Sequence, residues 1–386
     1  MLSADFGKLW SRPELFAVPE SADGTEFFHG GDGDPPPLVL YGASVNGKRY
    51  AAAAYYGLPE GEPPFPAVIL FHGGGGTAFP QYVRAWNRRG YAALTFDHYG
   101  KLPICEVTQP ERPRIPGSWL EAEGLPDMNG DTTTTPAASL ERWIGNAVSM
   151  AISANSYLRS RPEIDPEHIG LVGLSWGGLM GGIVAAFDSR LDFAALIYGC
   201  GCNRVAEPES FFARFGGAPW EPEHFLPKAK IPLCWIGGAD DTCFSPRAWS
   251  ASTLAAPGSA AAVLIPELGH SHKGYLHPLI RRFADARRGA AAPLPHLGAI
   301  EVSGGTLSAP VLGEGAGIRR VGAAFTCDRC PGPKRKWQRG PARLEGGRIA
   351  AAAPDSAAAC FLWADVADAE AEKFLPTATT PCFDLP

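Results

Sequence analysis

The chain has 386 residues, and 45% are hydrophobic, which is enough to bury a large core and excludes disorder of the whole chain. Only 19% are charged, and a net charge of −6 offers no electrostatic footprint for a nucleic acid. The length allows two domains, or one large domain with an appendage.

No apolar run approaches the ~18–20 residues of a bilayer-spanning helix, so no membrane partner is expected. The opening MLSADFGKLWSRPELF lacks a basic segment followed by an apolar one, so no signal peptide is read and a cytoplasmic location is expected. Nine scattered cysteines, an odd number, fit reduced thiols better than a disulfide framework. The one close C-x-x-C, Cys327–Cys330, has no second ligand pair for a structural zinc and is read as incidental.

In chain order, residues 1–37 are polar and end in Gly-Gly-Asp-Gly-Asp-Pro-Pro-Pro, an irregular lead-in. Leu38–Tyr41 and Lys48–Tyr56 read as strands joined at Asn46-Gly47, a hairpin signal. Ala67–Phe71 is a short continuous apolar run, as expected for a strand buried on both faces. Phe79–Arg89 reads as a helix and Tyr91–Phe96 as a second buried strand. Residues 100–137 are proline-rich without periodicity; an insertion this long reads as lid-like. Ser139–Leu158 is a helix, Ile169–Val172 a strand and Gly178–Phe187 a helix. Phe193–Tyr198, Leu233–Ile236 and Ala262–Ile265 are further strands, and Tyr275–Ala286 is a closing helix. This alternation predicts an α/β fold, a mostly parallel sheet flanked by helices, over residues 38–296. From 297 to 386 short β-like segments (Ile300–Val302, Arg320–Thr326, Arg348–Ala352, Ala359–Trp363) predict a small C-terminal β-sandwich.

Four features carry chemistry. Gly173-Leu174-Ser175-Trp176-Gly177 matches G-x-S-x-G, follows a predicted strand and precedes a helix, the setting of a nucleophile elbow. His72-Gly73-Gly74-Gly75-Gly76 follows the strand Ala67–Phe71 and leaves main-chain N–H groups unshielded. The N–H of Trp176 and one from Gly73 or Gly74 are the expected oxyanion donors. A phosphate loop is the competing reading, but Thr77 follows with no lysine before it. His72 lies upstream of the nucleophile and is read as a loop organiser. The acid should follow a later strand, where Asp240 and Asp241 stand side by side; Asp241 fits the Gly-x-x-Asp spacing from Gly238 better. The base should follow the last strand, where Gly269-His270-Ser271-His272 offers His270, preferred, and His272, otherwise a pocket residue. His277 falls in the closing helix and is read as structural. The order Ser175, Asp241, His270 is that of α/β-hydrolases. Trp176 has a second candidate role, stacking on a sugar ring or walling off a small acyl pocket. Trp119, Trp143 and Trp220 are further candidates to line a pocket.

The segments His72–Phe79, Arg89-Gly-Tyr-Ala-Ala93, Ile169–Gly178 and Tyr198-Gly-Cys-Gly201 resemble α/β-hydrolase-fold serine esterases. They are most similar to the acetyl xylan esterase and dienelactone hydrolase-like branch, which borders on prolyl oligopeptidase-like peptidases. The resemblance spans roughly residues 38–290 and departs at Asp240-Asp241, where relatives commonly have one aspartate. It implies a carboxylic-ester hydrolase working through an acyl-enzyme, with no metal or organic cofactor, and a substrate such as an acetylated carbohydrate. It also implies that Lys334–Ala342 and Arg348–Trp363 belong to a β-sandwich tail. A serine peptidase and a catalytically silent binding protein are the alternatives; the peptidase would normally bring propeller repeats, and none is present. The tail covers an apolar face, supports a homo-oligomer, or binds glycan through Trp337 and Trp363.

Overall fold

A computed structural model describes residues 5–43, 47–104, 111–125, 135–312, 317–329, 335–366 and 376–385. The chain divides into two units, Met1–Ala194 and Ala195–Pro386.

In the first unit, strands β1 (Glu20–Asp23), β2 (Pro37–Ala43), β3 (Arg49–Gly57), β4 (Phe65–Phe71), β5 (Ala92–Phe96) and β6 (Ile164–Leu174) form a mixed sheet in the order β1-β2-β3-β5-β4-β6. β1, β2, β3 and β5 pair antiparallel; β5, β4 and β6 pair parallel. The Val-Ile-Leu run of β4 is fully buried because parallel strands are covered on both faces. The expected hairpin pairs Ala43 with Arg49; Gly47 has φ 79, while Asn46 lies outside the described residues.

Helices α1 (Phe6–Trp10), α2 (Pro80–Asn87), α3 (Trp119–Glu123), α4 (Ala137–Arg159) and α5 (Trp176–Phe187) complete this unit. Every residue of α4 from Trp143 to Leu158 is buried, a pattern that needs cover on all sides. Part of that cover is the lead-in, which is not irregular: Phe6, Leu9, Trp10 and Leu15 are buried. Trp10 Nε1–H donates to the Gly145 carbonyl (3.2 Å), and Tyr50 O–H to that of Asn146 (2.8 Å). Four apolar side chains hidden in a polar stretch fixed this segment. The 100–137 insertion also has local order. α3 is capped by Ser118 and ends at Gly124 with φ 66, a left-handed C-terminal glycine. Residues 105–110 and 126–134 lie outside the described residues.

β7 (Phe193–Ile197) carries the chain from the first unit into the second, where β8 (Leu233–Gly238) and β9 (Ser259–Ile265) pair parallel. Tyr198 N–H, just past β7, bonds the Ile236 carbonyl of β8 (2.7 Å). Helices α6 (Pro246–Ala255) and α7 (Pro278–Arg287) follow β8 and β9. The closing helix was expected from Tyr275, but a 3-10 turn at His272–Leu276 precedes α7. Pro278 lacks an N–H and suits only a first turn, so the helix restarts there.

The tail holds β10 (His296–Leu297), β11 (Glu301–Ser303), β12 (Thr306–Leu312), β13 (Ile318–Thr326), β14 (Gln338–Pro341), β15 (Arg343–Glu345), β16 (Arg348–Ala352), β17 (Ala359–Val366), β18 (Ala378–Thr379) and β19 (Phe383–Asp384). They form two antiparallel sheets, β10-β12-β16-β15 with β11 on β12, and β14-β13-β17-β18 with β19 on β17. Leu307 and Ile349 of one meet Phe325, Cys360 and Leu362 of the other in a shared core, the expected β-sandwich. Its last strands fasten onto the preceding elements of the unit. Thr379 Oγ1 accepts the N–H of Leu264 in β9 (2.9 Å), Ser250 Oγ of α6 accepts from Cys382 N–H (2.8 Å), and Arg247 pairs with Asp384 (3.0 Å). Among the described residues no helix is long and apolar enough to cross a membrane.

Two predictions follow from this packing. Thr379→Val removes the acceptor of a buried main-chain N–H and should cost about 1–3 kcal/mol, read as a shifted urea midpoint. His277 Nδ1 accepts the Leu279 N–H at the start of α7 (3.3 Å), and burial lowers its pKa to about 4. Below its ordinary value near 6.5 the unfolded chain takes up a proton that the folded chain refuses. Stability should therefore fall as pH drops from about 6.5 towards 4, and His277→Gln should flatten that slope in denaturant titrations at successive pH values.

Candidate active site

G-x-S-x-G is divided by structure: Gly173 and Leu174 end β6, Ser175 is the turn, and Trp176 and Gly177 begin α5. Ser175 has φ 57 and ψ −119, a left-handed conformation that a residue with a side chain rarely adopts. The glycines make it achievable. A Cβ on Gly173 would lie 2.2 Å from the Gly177 carbonyl oxygen, and one on Gly177 would lie 2.0 Å from that of Phe71. Either contact is far inside van der Waals distance, so strand, turn and helix close only without side chains there. The first helical bond, Leu179 N–H to the Ser175 carbonyl (2.8 Å), locks the turn.

The glycine loop after β4 lies against this turn. A Cβ on Gly73 would sit 3.0 Å from Ser175 Cβ, and one on Gly74 would sit 2.7 Å from Trp176 Cδ1. Two imidazoles and a buried ion pair hold the loop. His72 Nδ1 bonds the Gly73 carbonyl (2.9 Å), an acceptor only, so Nδ1 carries the proton and Nε2 accepts the His98 N–H (3.3 Å). His98 shows the opposite tautomer: Nδ1 accepts from Trp143 Nε1–H (3.0 Å), and Nε2–H donates to the His72 carbonyl (3.1 Å). The two rings stack at 3.7 Å. Burial, and then the neighbouring His72, hold the pKa of His98 well below its usual value, which keeps it neutral.

Beneath the loop, Arg112 from the insertion donates to Asp97 Oδ2 (2.7 Å), Thr77 Oγ1 (2.6 Å) and the Gly76 carbonyl (2.8 Å). Thr77 O–H reaches the same Asp97 oxygen (3.0 Å), while Asp97 Oδ1 accepts the N–H groups of Tyr99 (2.9 Å) and Lys101 (3.1 Å). Asp97 and Arg112 are both buried. Sequence reading passed over Asp97, Arg112 and His98. Their roles depend on partners from separate segments, which no local motif records.

The second unit holds the residues expected as acid and base. Asp241, in the loop after β8, accepts from His270 Nδ1 through Oδ2 (2.9 Å). Its other oxygen accepts the N–H groups of Cys243 (2.7 Å) and Phe244 (3.0 Å). A carboxylate only accepts, so Nδ1 carries the proton and the basic lone pair of His270 is on Nε2. The imidazole packs beside the rings of Tyr198 (4.8 Å) and Phe244 (5.9 Å), with its side chain 23% exposed. Asp240 does not join this pair; burial and the nearby Glu267 raise its pKa. Cys243 is half-buried, its thiol pushed up to about 11 by burial and the charge of Asp241. His272 is exposed.

Each of the candidate tryptophans is buried or packed against a neighbouring residue. Trp143 is fully buried, stacked on Tyr99 (5.2 Å), and meets Trp176 edge-on at 4.9 Å. Trp119 is buried, and Trp220 packs on Phe215 (5.6 Å). In the sandwich, Trp337 packs on Phe361 (4.9 Å), and Trp363 covers Gly322 so closely that a Cβ there would meet its ring at 2.1 Å. Cys327 is exposed; Cys330 lies outside the described residues.

Residues 52–263, more than half of the chain, match the Dienelactone hydrolase family. The chain is 27% identical over 162 residues to a putative hydrolase, YtaP, of Bacillus subtilis, covering 38% of this chain and 48% of that protein. It is 26% identical over 151 residues to the thiohydrolase aneE of Aspergillus aculeatus, covering 38% and 37%. The matched stretch thus spans about half the length of these curated relatives or less. Among solved structures, an acetyl xylan esterase from Paenibacillus sp. R4 superposes with a TM-score of 0.52 at 20% identity, covering 74% of this chain and 95% of that one. Acetyl xylan esterase 1 from Thermoanaerobacterium gives 0.53 at 16%, covering 74% and 94%. The fold is that of the α/β hydrolases, with a β-sandwich tail.

The ion pair beneath the glycine loop yields a measurable consequence. Arg112→Met strands the buried Asp97 charge and should cost about 3–5 kcal/mol. Thr77→Val removes a neutral hydroxyl and should cost about 1–3 kcal/mol. Denaturant unfolding of both variants checks the ranking.

Proposed function

The chain belongs to the dienelactone hydrolase family, and we propose that it is a serine carboxylic-ester hydrolase that works through an acyl-enzyme. The observation that carries this reading is Ser175 at φ 57 on the β6–α5 turn, fenced by two glycines that tolerate no side chain. A strained turn of this kind lifts a hydroxyl out of the sheet's backbone. The second support is the Asp241–His270 pair, which fixes one imidazole tautomer.

In the proposed reaction His270 Nε2 takes the proton of Ser175, whose oxygen attacks the ester carbonyl. Negative charge gathers on the carbonyl oxygen, and the N–H groups of Trp176 and of Gly73 or Gly74 are its donors. Loss of one such donor typically costs about 3–4 kcal/mol. Asp241 stabilises the imidazolium. That proton passes to the departing alcohol, and the acyl group stays on Ser175. Water, deprotonated by His270, then releases the acid and restores the serine.

The proposed substrate is a short acyl ester of a carbohydrate or similar alcohol. Trp176 sits beside the nucleophile, 4% exposed and packed on Trp143, and a rigid indole there favours a small acyl group over a long chain. The fold is one shared with acetyl xylan esterases, which supports this choice of substrate class.

Turnover of p-nitrophenyl acetate should exceed that of the butyrate and octanoate esters and of peptide amides. Ser175→Ala should lower kcat by roughly 10⁴-fold or more while leaving thermal unfolding unchanged, and a fluorophosphonate should label the native protein and not this variant. Full activity in Ser175→Ala would discard the assignment. Faster cleavage of amides would favour a peptidase, and no turnover or labelling would favour a binding protein.

A further inference from the structure

We propose that Asp241, Cys243 and His270 form an inhibitory site for a thiophilic divalent cation, with zinc as its type. This goes beyond ester hydrolysis. The binding claim stands on the donors alone, and only its effect on turnover rests on the esterase reading.

Three different donors meet in one place. One ligand atom from each of Asp241, Cys243 and His270 lies within 4.8 Å of the other two. The local fold explains this. The N–H groups of Cys243 and Phe244 both bond Asp241 Oδ1, which curls the chain back on the carboxylate. Cys243 is thereby held two residues from Asp241 and beside it, while the loop after β9 brings His270 to the other carboxylate oxygen (2.9 Å).

Zinc binds sulfur at about 2.3 Å and nitrogen or oxygen at about 2.0–2.2 Å. Two donors on one tetrahedral ion are then roughly 3.4–3.6 Å apart, so the three side chains need only small torsional shifts to close on a cation. The set of thiol, imidazole and carboxylate selects zinc or cadmium over magnesium or calcium, which prefer oxygen cages. Three protein ligands leave a fourth position for water.

Such an ion would act as an inhibitor. If it takes His270 Nδ1, the hydrogen bond to Asp241 is lost. If it takes Nε2, the lone pair that would receive the serine proton is occupied. Cys243 Sγ binds as thiolate and releases its proton to solvent. Cys243 therefore gives the acid–base pair a sensitivity to zinc that Asp241 and His270 alone would supply only weakly.

The test uses the full chain freed of metal with a chelator and titrated calorimetrically with zinc chloride. Native protein should bind one equivalent, and the same concentrations should suppress p-nitrophenyl acetate turnover, with magnesium chloride giving neither effect. Cys243→Ser, which retains the main-chain N–H to Asp241, should weaken zinc binding ~10-fold or more and raise the inhibitory concentration in step, each variant being referred to its own zinc-free rate. Cys327→Ser, at the exposed thiol, should change neither. Zinc affinity that is equal in native and Cys243→Ser protein, or that follows Cys327, would overturn the site. Stoichiometric, Cys243-dependent binding in a protein without ester turnover would uphold the site and remove the esterase reading instead.

Discussion

The first unit is organised around a steric constraint: the strand–turn–helix at Ser175 closes only because two positions carry no Cβ. Gly177 lies against the Phe71 carbonyl and Gly173 against the Gly177 carbonyl, each at a distance that a methyl group could not occupy. Absence of side chains lets α5 start immediately after β6. The same closeness brings β4's end, and hence the glycine loop, against the turn, so one packing condition sets both the serine's strained φ and the position of the neighbouring main-chain donors. The strain at Ser175, of order 1–3 kcal/mol for such a backbone, is borne by the buried C-terminal halves of β4 and β6 and by the buried start of α5.

Electrostatics then hold what sterics shape. The glycine loop has no side chains to anchor it, so it is fixed through its carbonyls. His98 bonds that of His72, His72 that of Gly73, and Arg112 that of Gly76. Each bond has a single donor direction, because the opposing partners are main-chain or indole N–H groups or carbonyls. A neutral His98 is required for the whole chain of bonds: a proton on its Nδ1 would face the Trp143 N–H. The contrast with His270 is instructive. That imidazole bonds the Asp241 carboxylate through Nδ1 and is partly exposed, whereas His98 is fully enclosed among neutral partners.

Much of this was legible in the sequence, for identifiable reasons. Continuous apolar runs between turn signals marked β4, β5 and β6, because strands buried on both faces have little choice of composition. The glycines of G-x-S-x-G and of the loop after His72 were legible because each answers a local clash. Spacing from Gly238 favoured Asp241 over Asp240, and the turn through the Cys243 and Phe244 N–H groups is what directs Asp241 at His270. Asp97 and Arg112 escaped notice because a buried charge pair has no periodicity and no spacing. Pro278 was overlooked inside an otherwise helical pattern. In the sandwich, β12 carries a proline at Pro310, which lacks a donor for the ladder, and β14 is polar and largely exposed, so it was legible through the resemblance and not through alternation.

The tail reads differently in the structure than as an appendage. β9 ends at Ile265 and hands the chain directly to the loop that carries His270. The N–H of Leu264, one residue before that end, is bonded by Thr379 from β18, and α6, which follows the Asp241 loop, is held by Cys382 and Asp384. The last strands of the sandwich thus brace the elements on both sides of the Asp241–His270 pair. Geometry at a catalytic centre tolerates errors of only about 0.5 Å, and loops inherit their precision from the elements that anchor them. A β-sandwich that covers a strand edge also removes a pairing hazard. Here the same contacts anchor β9, whose following loop carries His270, so the sandwich helps to fix where that imidazole is presented as well as burying apolar surface.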